Sequence, residues 1–288
     1  MKLNEPTHTL NLTTPDRIAF ANEPVRFQPV GRCIYCTDVT GPLGEEHIVP
    51  YAIARNSLVL PAASCRKCEA ITGRYEQAVL RRTMGNVRLR FDAPTRNKKN
   101  RKPTLLLSRA KVEYDNQSGQ PSIGAAVRAI EVSASSAPMF YISLRVGPPG
   151  ILQGLPLGTH LEWNSFYTCK VGDIAEDLAI NGVAVEIGQF NPYLYAQFLA
   201  KMAYSYAVAK LGDGTFWPLI LDLVLGKTMW FRHWVGGEPQ APPADENEIH
   251  QISHHIRTVG DHKYIVVRIR LFSFLGTPVY DVVVGEIL

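Results

Sequence analysis

Residues 33–68 of this 288-residue chain read CIYCTDVTGPLGEEHIVPYAIARNSLVLPAASCRKC. Two Cys-x-x-Cys pairs, Cys33/Cys36 and Cys65/Cys68, enclose a segment longer than the roughly 15–20 residues of a simple zinc ribbon. Four thiolates in two such pairs are the usual ligands of a tetrahedral structural Zn²⁺, because soft sulfur ligands favour zinc over hard cations. We therefore predict one closed zinc site that stabilises a segment with little core of its own. Four buried, reduced cysteines without metal are the alternative.

The enclosed segment carries a carboxylate beside an imidazole, Glu46-His47, shortly before a proline. In an extended segment adjacent side chains point to opposite faces. Glu46 and His47 can therefore contribute to the same site only where the chain bends or a helix closes over them. A helix opening at Cys68 meets this need, because apolar residues recur at helical spacing as far as Met84 and a glycine follows. Residues 87–91 alternate apolar side chains with arginine, a pattern that predicts a strand.

The succession of Cys-x-x-Cys, Glu46-His47-Ile48-Val49-Pro50 and Cys-x-x-Cys resembles the HNH endonuclease superfamily over residues 31–85. That family folds as a β-hairpin and a helix around a metal ion (ββα-metal). Its usual pattern has Asp-His-x-x-Pro between the knuckles and Asn or His after the last cysteine. The resemblance implies that His47 is the general base and that Glu46 and Glu69 bind a divalent cation, Mg²⁺ or Mn²⁺. Glu76, further along the same helix, is a reserve ligand whose ordinary place is the solvated helix face.

The reaction that the resemblance implies is hydrolysis of a phosphodiester bond. His47 would take a proton from water, since an imidazole with a pKa near about 6.5 suits a base at neutral pH. The cation would stabilise the leaving 3′-oxygen, and the zinc would remain structural. Glu69 departs from the family's Asn or His, and the family's middle asparagine has no counterpart, so no residue is assigned to orient His47. The alternative is a non-catalytic zinc module that binds nucleic acid or protein.

Basic residues are concentrated directly after the second cysteine pair. Residues 66–111 contain fourteen basic and three acidic residues, a net charge of +11, whereas the rest of the chain carries −7. Concentrated positive charge beside a metal motif suggests nucleic acid as partner, with DNA favoured and RNA left open, although a solvated basic face is the plainer interpretation. The predicted phosphate contacts are Arg66, Lys67, Arg74, Arg96, Lys98, Lys99, Arg101 and Lys102.

The sequence predicts an α+β protein: a small zinc-stapled ββα-metal nuclease head in residues 1–105 and a larger α+β domain in residues 106–288. Strand-like runs cover 104–113, 124–133 and 139–146, the longest helix covers 191–211, and two final β-rich runs suggest a closing hairpin. The second domain is expected to serve sensing, docking or dimerisation, as a homodimer or through a regulatory partner. Standalone bacterial proteins that resemble this head often carry such partners, including in phage defence.

Several other features exclude function classes or carry little chemistry. Hydrophobic residues make up 46% of the chain and charged residues 19%, which excludes general disorder. No run of about 18 apolar residues predicts a membrane span, and no signal peptide is recognised, so we expect a cytoplasmic protein with reduced thiols. Cys169 is expected to be a buried apolar thiol. His250, His254 and His255 lack the context of a metal site, and the tyrosines of 193–206 are expected to pack a helix rather than stack on bases.

Overall fold

The computed structural model describes residues 16–18, 23–54, 58–91, 93–94, 104–114, 117–118, 121–133, 139–170, 183–184, 190–238, 240, 242–243 and 248–288. In chain order the strands and α-helices are β1 (Asp16–Ile18), β2 (Val25–Arg26), β3 (Leu43–His47), α1 (Tyr51–Ala54), β4 (Leu58–Cys65), α2 (Arg66–Ala78), α3 (Gly85–Arg90), β5 (Thr104–Tyr114), β6 (Pro121–Ser133), β7 (Met139–Arg145), β8 (Asn164–Lys170), β9 (Val183–Ala184), α4 (Pro192–Leu211), β10 (Phe216–Pro218), α5 (Leu221–Val224), β11 (Val235–Gly237), β12 (His250–Val259), β13 (His262–Leu271) and β14 (Val279–Ile287). Helices and sheets are both prominent, so the predicted mixed α+β class is confirmed.

The motif-bearing segment folds as a hairpin followed directly by a helix. Strands β3 and β4 pair antiparallel, with Glu46 opposite Leu60 and His47 opposite Val59, and β2 adds to β4 in parallel. A register shift between Gly44 and Glu46 interrupts the ladder just before the acid–histidine pair. A β-bulge at such a shift bends a strand and changes the direction of its side chains. Such a bend is one of the two ways in which Glu46 and His47 can reach the same site.

The helical path of the chain continues beyond the last residue of α2. It passes at Ala78 into a π-helical turn, Val79–Thr83, and then into α3. The strand predicted for residues 87–91 is therefore wrong. Val87 is buried, and the Arg88 guanidinium donates to the carbonyl oxygens of Ala52 (2.9 Å) and Leu80 (3.1 Å). These contacts stabilise a helix here, because five residues are too few to distinguish the apolar spacing of a helix from that of a strand.

The largest sheet has the order β1-β12-β13-β14-β10, with β11 also pairing β14, and all its pairs are antiparallel. The predicted closing hairpin is confirmed as β13–β14. Helix α4 packs on this sheet, and its predicted bounds are confirmed. Asn191 caps its start by accepting from the Leu194 N–H (3.1 Å), Pro192 occupies its first turn, and Gly212 ends it.

Smaller pairings complete the described part of the chain. Strands β5 and β6 form a long antiparallel hairpin to which β9 adds, and β7 pairs β8. These strands confirm the β-rich runs predicted from residue 104 onward. No helix in the described ranges is both long and apolar enough to cross a membrane.

One hydrophobic core joins the motif-bearing segment to the large sheet. It includes Tyr35, Tyr75 and Met84 on one side and Tyr204 and Val267 on the other. Helix α4 contacts both α2 and the sheet strands, and it is continuously buried from residue 195 to residue 208. The boundary at residue 105 remains a prediction, but the described residues on its two sides share their packing.

Candidate metal centre and adjoining cleft

The four predicted zinc ligands lie together. The Sγ atoms of Cys33, Cys36, Cys65 and Cys68 all lie within 4.8 Å of one another. Zinc–sulfur bonds of about 2.3 Å in a tetrahedron place the sulfurs about 3.8 Å apart, and the Cys36–Cys65 separation is 3.6 Å. This cluster can hold a metal ion such as zinc. Two knuckles position it: the turn after β2, and the junction where β4 ends and α2 begins.

Burial and hydrogen bonds within the cluster shift the pKa of three of these thiols. Burial raises the pKa of Cys33 and of Cys68, because an uncompensated thiolate is costly away from water. Cys65 behaves differently: burial also acts to raise its pKa, but hydrogen bonds from the Cys68 backbone and the neighbouring thiols lower it overall. A coordinated cation would supply the positive charge that lets all four remain thiolates.

A cleft of about 670 Å³ adjoins the cysteine cluster. The predicted base His47 and the predicted cation ligands Glu46 and Glu69 all line it, as do Arg66 and Arg74. Strand β3 carries Glu46 and His47, and helix α2 carries Arg66, Glu69 and Arg74. The cleft therefore gathers most of the residues that the sequence singled out between 46 and 74.

Other predicted contacts are placed differently. Lys67 is exposed but is not among the residues that line the cleft. The other five predicted phosphate contacts lie outside the described residues: Arg96, Lys98, Lys99, Arg101 and Lys102.

Glu46 is buried at 5% exposure and is paired with a lysine that sequence reasoning did not find. The Nζ of Lys201, from the middle of α4, contacts the Glu46 carboxylate. The same nitrogen lies 2.7 Å from Glu76 Oε1 and donates to the backbone carbonyl of His47 at 2.6 Å. The available signal was a lysine in the middle of a predominantly apolar helix, which indicates a buried cation with partners.

The buried charges shift one another's protonation. Burial raises the pKa of Glu46, Lys201 opposes that rise, and the Glu76 carboxylate adds to it. Burial alone would lower the pKa of Lys201, but Glu46 and Glu76 outweigh it and raise that pKa above its ordinary value. Burial and the same carboxylates raise the pKa of Tyr35 and Tyr75 well above the usual range. Both tyrosines therefore stay protonated beside the ionic group.

Glu69 occupies the first turn of α2 and is exposed. Its Oε2 lies 3.7 Å from the position that a Cβ on Gly44 would take, so it faces the bend in β3. Among the described residues, the cysteine quartet is the sole group of three or more Cys, His, Asp or Glu ligands close enough to share an ion. Cation binding by Glu46 and Glu69 stays a prediction.

His250 and the tyrosines of α4 make hydrogen bonds and packing contacts inside the protein. His250 lies in β12, where its Nδ1 accepts from the Phe272 N–H (3.1 Å) and its Nε2 therefore donates to the Ile53 carbonyl (3.1 Å). Burial lowers its pKa to about 4, so it is a neutral link between the sheet and α1. The α4 tyrosines pack as predicted: Tyr204, for example, donates to the Ile34 carbonyl at 3.0 Å. The Cys169 side chain lies outside the described part.

No family model, curated protein or solved structure matches this chain. Its function is therefore argued from the cysteine cluster and the cleft.

Proposed function

We propose that this protein is a metal-dependent endonuclease of the HNH type, with DNA as the favoured substrate. One observation carries the proposal: His47, Glu46 and Glu69 line a single cleft beside a four-cysteine cluster, on a hairpin followed directly by a helix. A structural zinc knuckle alone does not need an acid–histidine pair in a neighbouring cleft.

In this mechanism the four cysteines would hold Zn²⁺ as a structural ion that stabilises the two Cys-x-x-Cys turns. The His47 imidazole takes a proton from the water that attacks phosphorus. Mg²⁺ or Mn²⁺, when bound by Glu46 and Glu69, would supply positive charge for the leaving 3′-oxygen.

Arg66 and Arg74 support the choice of a polyanionic substrate. Both line the cleft from the same helix that carries Glu69. Guanidinium groups bind phosphate oxygens without reading bases, so such contacts favour affinity over sequence choice. The basic residues Arg96, Lys98, Lys99, Arg101 and Lys102 remain predicted phosphate contacts.

A non-catalytic zinc module that binds DNA is the second candidate, and the Lys201 contact favours it. An ammonium group at the Glu46 carboxylate neutralises charge that would otherwise attract a divalent cation. In this case the protein would bind DNA through the same arginines without cutting it.

Plasmid cleavage by the full-length protein separates the two candidates. The assay compares Mg²⁺, Mn²⁺ and EDTA for the wild type, His47→Ala and His262→Ala, the last being a matched control because His262 is an exposed histidine far along the chain in β13. The nuclease proposal expects metal-dependent cutting by the wild type and His262→Ala but not by His47→Ala. Bound, uncut DNA in both metals would contradict it and support the zinc module. Nicked product indicates single sites, and direct linearisation indicates a dimer with paired sites.

A further inference from the structure

Lys201 is a charged side chain in the interior of the protein. It is 2% exposed and lies midway along α4, between Phe198 and Tyr204, which are themselves buried. An ammonium group removed from water is costly unless its protons find acceptors. Its place in the fold therefore depends on what it contacts.

Three oxygen atoms surround the ammonium group: Glu46 Oε1, Glu76 Oε1 and the backbone carbonyl oxygen of His47. The ammonium group donates a hydrogen bond to the His47 carbonyl oxygen, and it forms ion pairs with both carboxylates. These oxygen atoms belong to β3 and α2, and Lys201 belongs to α4. Lys201 thus links β3 and α2 to the helix that runs through the common core.

We propose that Lys201 is the positioning residue for His47, the orienting group that the sequence does not supply near the motif. The inference rests on the nuclease proposal above. Lys201 holds the side chain of Glu46 and the carbonyl of the next residue, His47, at the same point. With the Glu46 carboxylate and the His47 carbonyl both held, the backbone at the end of β3 is fixed in one orientation. The His47 imidazole extends from this backbone and lines the cleft.

Helix α4 is a rigid support for this role. One turn before Lys201, Gln197 donates to the Leu223 carbonyl (3.0 Å), and nearly one turn after it, Tyr204 donates to the Ile34 carbonyl (3.0 Å). These bonds fix α4 against α5 on one side and against the first cysteine knuckle on the other. A side chain on such an element can hold a base to within the fraction of an ångström that catalysis requires.

Cleavage kinetics of the full-length Lys201→Met protein test the proposal first. Misplacing a catalytic group by about 1 Å can cost about 100-fold in rate, so kcat should fall about 100-fold while KM stays within about 3-fold. The matched control is Lys210→Met on the same helix, whose partner Asp16 lies 3.0 Å away at the surface and which should keep the wild-type kcat. Zinc content and folded fraction are measured for each protein at the assay temperature. Should Lys201→Met fail to fold, Glu76→Gln, which keeps the lysine and a neutral acceptor, should lower kcat in the same direction by about 5-fold.

Histidine NMR distinguishes the positioning of His47 from a merely structural role of Lys201. The chain has eight histidines, and in ¹⁵N-histidine-labelled protein the His47 ring signals are identified by their loss in His47→Ala. In Lys201→Met the His47 signals should shift while those of the other seven stay, because Lys201 donates to the carbonyl oxygen of His47. General loosening would instead shift several of them.

These measurements separate the positioning role from the nuclease proposal. Should the wild type cut DNA while the Lys201→Met protein keeps its kcat within 3-fold or its His47 signals unchanged, the positioning role is overturned and the nuclease proposal stands. A wild type that does not cut DNA in either metal overturns the nuclease proposal, and a selective shift of His47 then still supports the positioning by Lys201.

Discussion

Replacing Lys201 with methionine should destabilise the protein far more than an ordinary lysine replacement. Methionine keeps the length and most of the volume of the side chain, so little packing is lost. The carboxylates of Glu46 and Glu76 then remain beside each other with no cation. Removing one partner of a buried ion pair costs about 3–5 kcal/mol, a large part of the about 5–15 kcal/mol that stabilises a typical domain.

The loss of stability in Lys201→Met should depend on pH, and the direction of that dependence follows from the pKa of Glu46. Burial already raises the pKa of Glu46 in the folded protein. A carboxyl group with a higher pKa when folded binds its proton more tightly when folded, so its contribution to stability is present at low pH and lost as pH rises through the folded value. Removing Lys201 raises that pKa further. The deficit of Lys201→Met should therefore be largest near pH 8 and shrink toward pH 5.

Urea unfolding of the full-length proteins at pH 8 and pH 5 measures the effect. Lys210→Met is the comparison, because Lys210 pairs with Asp16 at 30% side-chain exposure and such surface pairs contribute about 0–1 kcal/mol. The reasoning would be refuted by a Lys201→Met protein within 1 kcal/mol of the control at pH 8, or by a deficit that grows as pH falls.

Three further predictions concern the metal centre, the cleft and the core. Cys68→Ser should reduce bound zinc from one per chain to nearly none and lower the unfolding temperature, since structural zinc contributes several kcal/mol of folding free energy; retained zinc by elemental analysis would contradict this. Replacing Arg66 and Arg74 with glutamine should lower the slope of log Kobs for DNA against log salt by about 2, and an unchanged slope would remove both from the phosphate contacts. Tyr141→Phe should cost about 1–3 kcal/mol in urea unfolding, because its hydroxyl lies 2.5 Å from that of buried Tyr195; an unchanged stability would show that this contact contributes nothing.

Local pattern predicted much of the fold. The paired cysteines, Pro192 and Gly212 act on their near neighbours, and the structure confirms the cysteine cluster and the long helix at these positions. Alternation over five residues was not sufficient at 87–91, where packing of Val87 favours a helix. Patterns of that length do not distinguish the two periods without knowledge of what covers them.

The contact between α4 and the cleft could not be predicted in this way. Lys201 lies 154 residues from His47, and no spacing rule relates positions so far apart. The odd lysine in an apolar helix indicated a buried charge but not its partners. The missing asparagine of the HNH pattern likewise indicated that an orienting group was absent nearby, but not where another would come from.

The ionic group on α4 also affects how the sequence can change over time. Two acids and one base, on three separate elements, balance one another inside the protein, so the loss of any one alone destabilises the fold more than the loss of all three together. Relatives of this chain that keep its activity should therefore keep Glu46, Glu76 and Lys201 as a set. A recombinant that inherits the cysteine knuckles from one parent and α4 from another would carry one part of the set without the rest.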